Sequence, residues 1–456
     1  MSRDLTQVDP QWAWSVYEPD RQYPWSRRSA AHLFRRAGYG ASWTQLDEAV
    51  RVGPAATIDG LLAAGQAARG FQQEMDSFAK TTLATGNTKK LSSWWLYRAL
   101  YAPDQLHDKL TLFWHGHFAT SAAKVQDAHV MYEQHAMLRQ LALGEFIKLA
   151  QAISRDPAML IYLDSATNRK RHPNENYARE LMELFCLGTG NYTEQDIREI
   201  ARCFTGWEVR RRRFTFNKYQ HDKDEKHFLG HRGGFGGEDA VDIVVDHPAA
   251  ANFIAGKLVR FFAIDDVEIP TALLKPLADD FRKHDLNVRY VVDRILRSRL
   301  LHSEYSFGRK IRSPVELSLG LLRGLEGSAN TIQLVEELEL LGQALFFPPS
   351  VKGWDGGRAW INSSTLLGRA NLVGRIVRDE QTKFAGGPLS ELAKKYGATT
   401  AGEVVDWLAE LLIAVPIADD VRQQLIGTAR RANDNPNRQI AEVIHMIGTL
   451  PEFQLC

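Results

Sequence analysis

HPNENYARELMELFCLGTGNYTEQDIREIARCFTGW, His172–Trp207, decides the fold, because it reads as two amphipathic helices joined by a glycine turn. Stepping Asn174–Leu187 at about 100° per residue gathers Glu175, Asn176, Arg179, Glu180 and Glu183 in one polar arc. Tyr177, Ala178, Leu181, Met182, Leu184 and Phe185 fill the opposite side. His172-Pro173 sets an extended lead-in, since the residue before proline is pushed out of the helical region, and Gly188 is a natural stop. The second helix, Thr193–Thr205, opens with Thr193 and Asp196 in capping-box spacing and buries Ile197, Ile200, Ala201 and Phe204. With so short a connection the two helices should pack side by side.

The polar arc admits two readings. On a solvated face, Glu175 and Arg179 are an ordinary pair four residues apart. In a cleft, Glu175, Arg179, Glu180 and Glu183 are a catalytic set able to hold a metal or tune an acid/base pair. Glu180 and Glu183 are then the best-placed ligands, three residues apart on the helix.

Other stretches belong with this one: AAHLFRRAGYGAS (Ala30–Ser42), FWHGHFATS (Phe113–Ser121), DPAMLIYLDSATN (Asp156–Asn168) and VKGWDGGRAWINSSTLLGRAN (Val351–Asn371). Together, in this order, they resemble the bacterial family catalogued as domain of unknown function 1800, over about residues 30–380. The resemblance brings no settled activity. It implies a habit of export, and association with a sulfatase-like partner family bearing a Tat-type signal.

A net charge of +1, with 44% apolar and 24% charged residues, describes an ordinary soluble globular chain and gives no case for nucleic acid as a partner. Cys186, Cys203 and Cys456 are too few for a disulfide scaffold and form no CxxC pair. The first residues lack the apolar core of a signal peptide, and no run is long enough for a membrane span. Residues alone therefore point to the cytoplasm; the resemblance adds export bound to a partner.

Residues 1–29 read as an aromatic arm docked by Trp12, Trp14, Tyr17, Tyr23 and Trp25, residues 30–380 as the main helical domain, and residues 388–456 as a C-terminal helical subdomain. In FWHGHF the flanking period is helical, so His115 and His117 lie on opposite sides and cannot chelate one metal together; His117 points inward. Glu208–Gln220 alternates around Phe214 and Phe216, as the one expected β-ribbon in a mainly α protein. Arg211 and Arg213, within four consecutive arginines, could hold a phosphate, sulfate or uronate. Next come His221, Asp222, His227 and His231. The family pattern implies the His221-Asp222 pair over the other two. GGFGG (Gly233–Gly237) lacks the strand and GK[ST] of a nucleotide loop and reads as a mobile flap. In the long loop Phe346–Ser364, Trp354, Trp360 and Asn362 would suit a sugar ring, and Ser363 would cap the helix that follows.

Three functions fit. A metal-assisted enzyme, hydrolytic or oxidative, would hold a divalent metal with His117, Glu180, Glu183, His221 and Asp222. A metal-free glycoside hydrolase or lyase on an anionic polysaccharide would set Glu175 or Glu180 against Asp222 or Asp355, with the arginines on the acidic sugar. A noncatalytic binding or export-adaptor protein would use the polar helix as an ion-pair lock.

Overall fold

A computed structural model describes residues 4–63, 68–431 and 435–456 of the chain. Residues 1–3 of the expected arm and 432–434 of the expected C-terminal subdomain lie outside the described residues. The fold is mainly α, as the recurring helical stripes require. Its apolar side chains form two clusters. The helix Gln105–His117 runs between them, giving Leu106, Leu110 and Phe113 to one and Leu112 to the other. A helix clamped on both sides buries its polar residues too, so Lys109, His115 and His117 are all enclosed. The side of His115, which sequence turned away from the interior, is as buried as that of His117.

The helical pair of the opening stretch is present and packs side by side. Its first member starts at Asn176, is α-helical to Glu180, and continues over Leu181–Cys186 in the wider π register. Leu187 N–H accordingly reaches back five residues to the Met182 carbonyl, at 2.8 Å. The second member, Glu194–Cys203, has the expected capping box of Thr193 and Asp196.

The expected ribbon pairs Trp207–Arg210 with Arg213–Phe216, turning through Arg211 and Arg212, both left-handed (φ 51° and 65°). Two more ribbons correct the expectation of a single one: Lys226–Phe228 with His231–Gly233, and Gly327–Ser328 with Lys383–Phe384. Strands of two or three residues are too short to show alternation. The flap reading of GGFGG also needs correction at its end. Gly237 opens the helix Gly237–Asp246, and a Cβ there would lie 2.2 Å from the Trp207 ring, so this glycine serves close packing.

At the N-terminal side Trp14 is buried and its indole N–H donates to the Leu273 carbonyl at 2.7 Å, while Tyr17 stacks on His302. At the other end, helices Leu389–Lys395, Ala401–Leu412 and Pro436–Thr449 share the second apolar cluster with Ala30, Phe34 and Leu319. Arg35 and Arg312 fasten this segment by donating to the Leu411 and Leu412 carbonyls, each at 2.7 Å. Among the described residues no helix is long and apolar enough to cross a membrane.

Candidate functional site

The polar arc closes on itself. Arg179 forks onto Glu194 of the neighbouring helix at 2.8 and 2.9 Å and reaches Glu175 at 3.3 Å. The three side chains are 35%, 63% and 39% exposed, so this is a solvated lock between two helices. Glu183 accepts a hydrogen bond from the Tyr192 hydroxyl at 3.1 Å. Half-burial, and then the nearby Glu183 charge, push the Glu180 carboxyl up, against partial relief from Arg179 and Lys352.

His117 meets that helix through its main chain instead of its carboxylates. His117 Nε2 lies 3.0 Å from the Phe185 carbonyl oxygen, which only an N–H can satisfy, so Nδ1 is left as an acceptor. Lys257 Nζ donates to it at 3.2 Å and to the Leu184 carbonyl at 3.0 Å. The two side chains thereby cap the carbonyls that the end of the π-helical turn leaves open. His221 lies elsewhere, with Nδ1 at 2.9 Å from the Thr205 carbonyl, and Asp222 is forked by Arg202 at 2.7 and 3.2 Å. Among the described residues no three of His, Cys, Asp and Glu converge as a metal-binding set. The expected centre of His117, Glu180, Glu183, His221 and Asp222 is therefore not assembled: His117 is held by the Phe185 carbonyl and Lys257, Glu183 by Tyr192, His221 by the Thr205 carbonyl and Asp222 by Arg202. Arg211 and Arg213 stand exposed at the ribbon turn, outside the cleft described next.

That cleft, of about 600 Å³, opens on the far side of His117 and is lined by both His117 and Lys257. One wall is the C-terminal half of the helix Gln105–His117, another the helix Pro248–Phe262, and the Trp354–Trp360 loop forms the mouth. One glycine sets that loop: Gly353 (φ 79°) lies so near the helix that a Cβ would come within 2.1 Å of the Gly116 carbonyl. Trp354 and Trp360 line the cleft, Trp360 with only 8% of its surface exposed; Asn362 does not. Its side chain accepts from Thr365 N–H and caps the helix Ser363–Arg378, the role assigned from sequence to Ser363.

The floor is a buried charge triad. Glu316 accepts from Lys109 at 2.5 Å and from Lys310 at 2.7 and 2.8 Å. Burial alone would push the Glu316 carboxyl up, but the two ammonium groups hold it well below the usual carboxylate range. Asp266 is bound by Arg309 at 3.0 Å, and burial raises Asp265. Among the described residues Lys257 has no carboxylate partner, and burial pushes it down to about 8. Burial, then the adjacent Lys257, keeps His117 neutral. At the mouth Arg260, Lys352 and Arg358 are exposed and make no ion pair among the described residues. Asp355 stands exposed beside them, so the five basic side chains of the lining exceed its four carboxylates by one. Sequence reasoning passed over Lys257 and Arg260; the available signal was a lysine in register with Phe253 and Phe261, four residues to either side on a mostly apolar helix.

The family model described as "Protein of unknown function (DUF1800)" matches residues 32–455, nearly the whole chain, and the chain belongs to that family. The match takes in the C-terminal segment, which the sequence resemblance had left largely outside. No curated protein and no solved structure matches the chain.

Proposed function

We propose that this member of the DUF1800 family binds a small anionic saccharide in the cleft and acts on it through the Lys257 amine. Lys257 itself carries the reading: a largely buried amine that lines the cleft, lacks a carboxylate partner and sits among unpaired cations. A buried charge without a counter-charge is costly, and an anionic ligand supplies one. A cleft of this size takes a ligand of one or two rings. Trp354 and Trp360 contribute aromatic surface to the lining, which suits the apolar side of a sugar ring. Of the metal-free reading of the sequence this keeps the anionic sugar as ligand and replaces the carboxylate pair, of which only Asp355 lines the cleft, with the lysine. The metal-assisted reading loses its support with the separation of His117 from the carboxylates.

The test is calorimetric titration of the full chain with glucuronate and with glucose. We expect glucuronate to bind at least roughly tenfold more tightly. Its affinity should fall as pH rises through about 8, because Lys257 then loses the charge that attracts the anion. Equal affinity for glucose, or no binding of either, overturns the reading.

A further inference from the structure

We infer that Lys257 is a nucleophile that forms an imine with a small aldehyde or ketone bearing a carboxylate or phosphate, such as the open-chain form of a sugar acid. The inference rests on the cleft being an anion site and names what that anion must carry.

The geometry of the hydrogen bonds carries it. A neutral lysine amine has two N–H bonds and one lone pair. The acceptors around Lys257 Nζ are the Leu184 carbonyl at 3.0 Å and His117 Nδ1 at 3.2 Å, both uncharged. His117 can accept there because its other nitrogen is committed to the Phe185 carbonyl. Both N–H bonds are thus met by neutral acceptors, and the amine, 4.7 Å from the Phe253 ring centroid, stands on the lining of the cleft. No carboxylate holds the proton on, and burial disfavours the charged form, so the neutral amine is well populated near pH 8.

The other cleft lysines differ. Lys310 is bound to Glu316 as an ammonium, and Lys352 is exposed. Arg260 and Arg358 remain to hold the anionic group of the ligand. In the step itself, the nitrogen lone pair attacks the carbonyl carbon and gives a carbinolamine. The C–O bond then breaks as C=N forms. The carbonyl oxygen leaves as water, carrying the two protons of the amine. Nothing is oxidised or reduced.

The experiment uses the full chain and pyridoxal 5′-phosphate, an aldehyde with a phosphate, at less than one equivalent, followed by borohydride reduction and peptide mapping. Lys257 should be labelled faster than Lys352 by roughly a factor of ten or more. The rate should rise with pH through about 8, and glucuronate should slow it. If glucuronate binds in the calorimeter while label spreads evenly over exposed lysines, the imine is overturned and the anion cleft stands. If neither binding nor selective labelling occurs, both fail together.

Discussion

The helix carrying Glu175, Arg179, Glu180 and Glu183 and the helix Pro248–Phe262 make opposite use of charge. The first is dense in ionisable groups, and its arginine and two of the acids around it settle in exposed ion pairs. The second has few, yet Lys257 is drawn inside and left without a carboxylate. The lesson is that charge density along a sequence marks where water can reach. A chemically poised group is marked instead by one polar residue on an apolar stripe, where desolvation sets its properties.

The contrast can be broken from the cleft side most forcefully. Glu316→Gln leaves Lys109 and Lys310 buried without their shared carboxylate, and should cost about 3–5 kcal/mol in denaturant unfolding. A loss comparable to that of a surface pair would mean the floor is not dry.

Lys257→Met probes the same side through pH. The lysine titrates near 8 in the folded chain against 10.5 for the ordinary group, so between those values the unfolded chain holds more protons. Stability from this residue therefore rises with pH across that window, by at most about 1.4 kcal/mol per pH unit, and is flat below it. The variant should lose that slope. Wild-type and variant curves running parallel from pH 8 to pH 10 would show that Lys257 is not desolvated.

At the mouth, Asn362→Ala removes a helix cap and should cost about 1 kcal/mol, while glucuronate affinity changes little. A large loss of binding with unchanged stability would return Asn362 to the ligand.

Arg179→Ala should have the smallest effect, a slight drop in unfolding midpoint that disappears in high salt, with Lys257 labelling unaltered. Loss of labelling would tie the arc to the cleft and erase the contrast.

Sequence by itself determined the local features. The period of Tyr177, Leu181 and Phe185 requires a helix, Thr193 with Asp196 starts the next one, and the alternation around Phe214 makes a ribbon. Each rests on neighbours a few residues apart, so no distant contact is needed to read it. The inward turn of His117 was legible for the same reason. What tertiary structure alone decided is which distant partner each polar group meets. Arg179 meets Glu194 across a helix pair, His117 meets Lys257 from a helix 140 residues away, and Glu316 gathers two lysines from separate elements. The change of Leu181–Cys186 to π register belongs with these. Burial and charge pairing are properties of the assembled core, and they depend on segments whose spacing in the chain carries no record of their meeting.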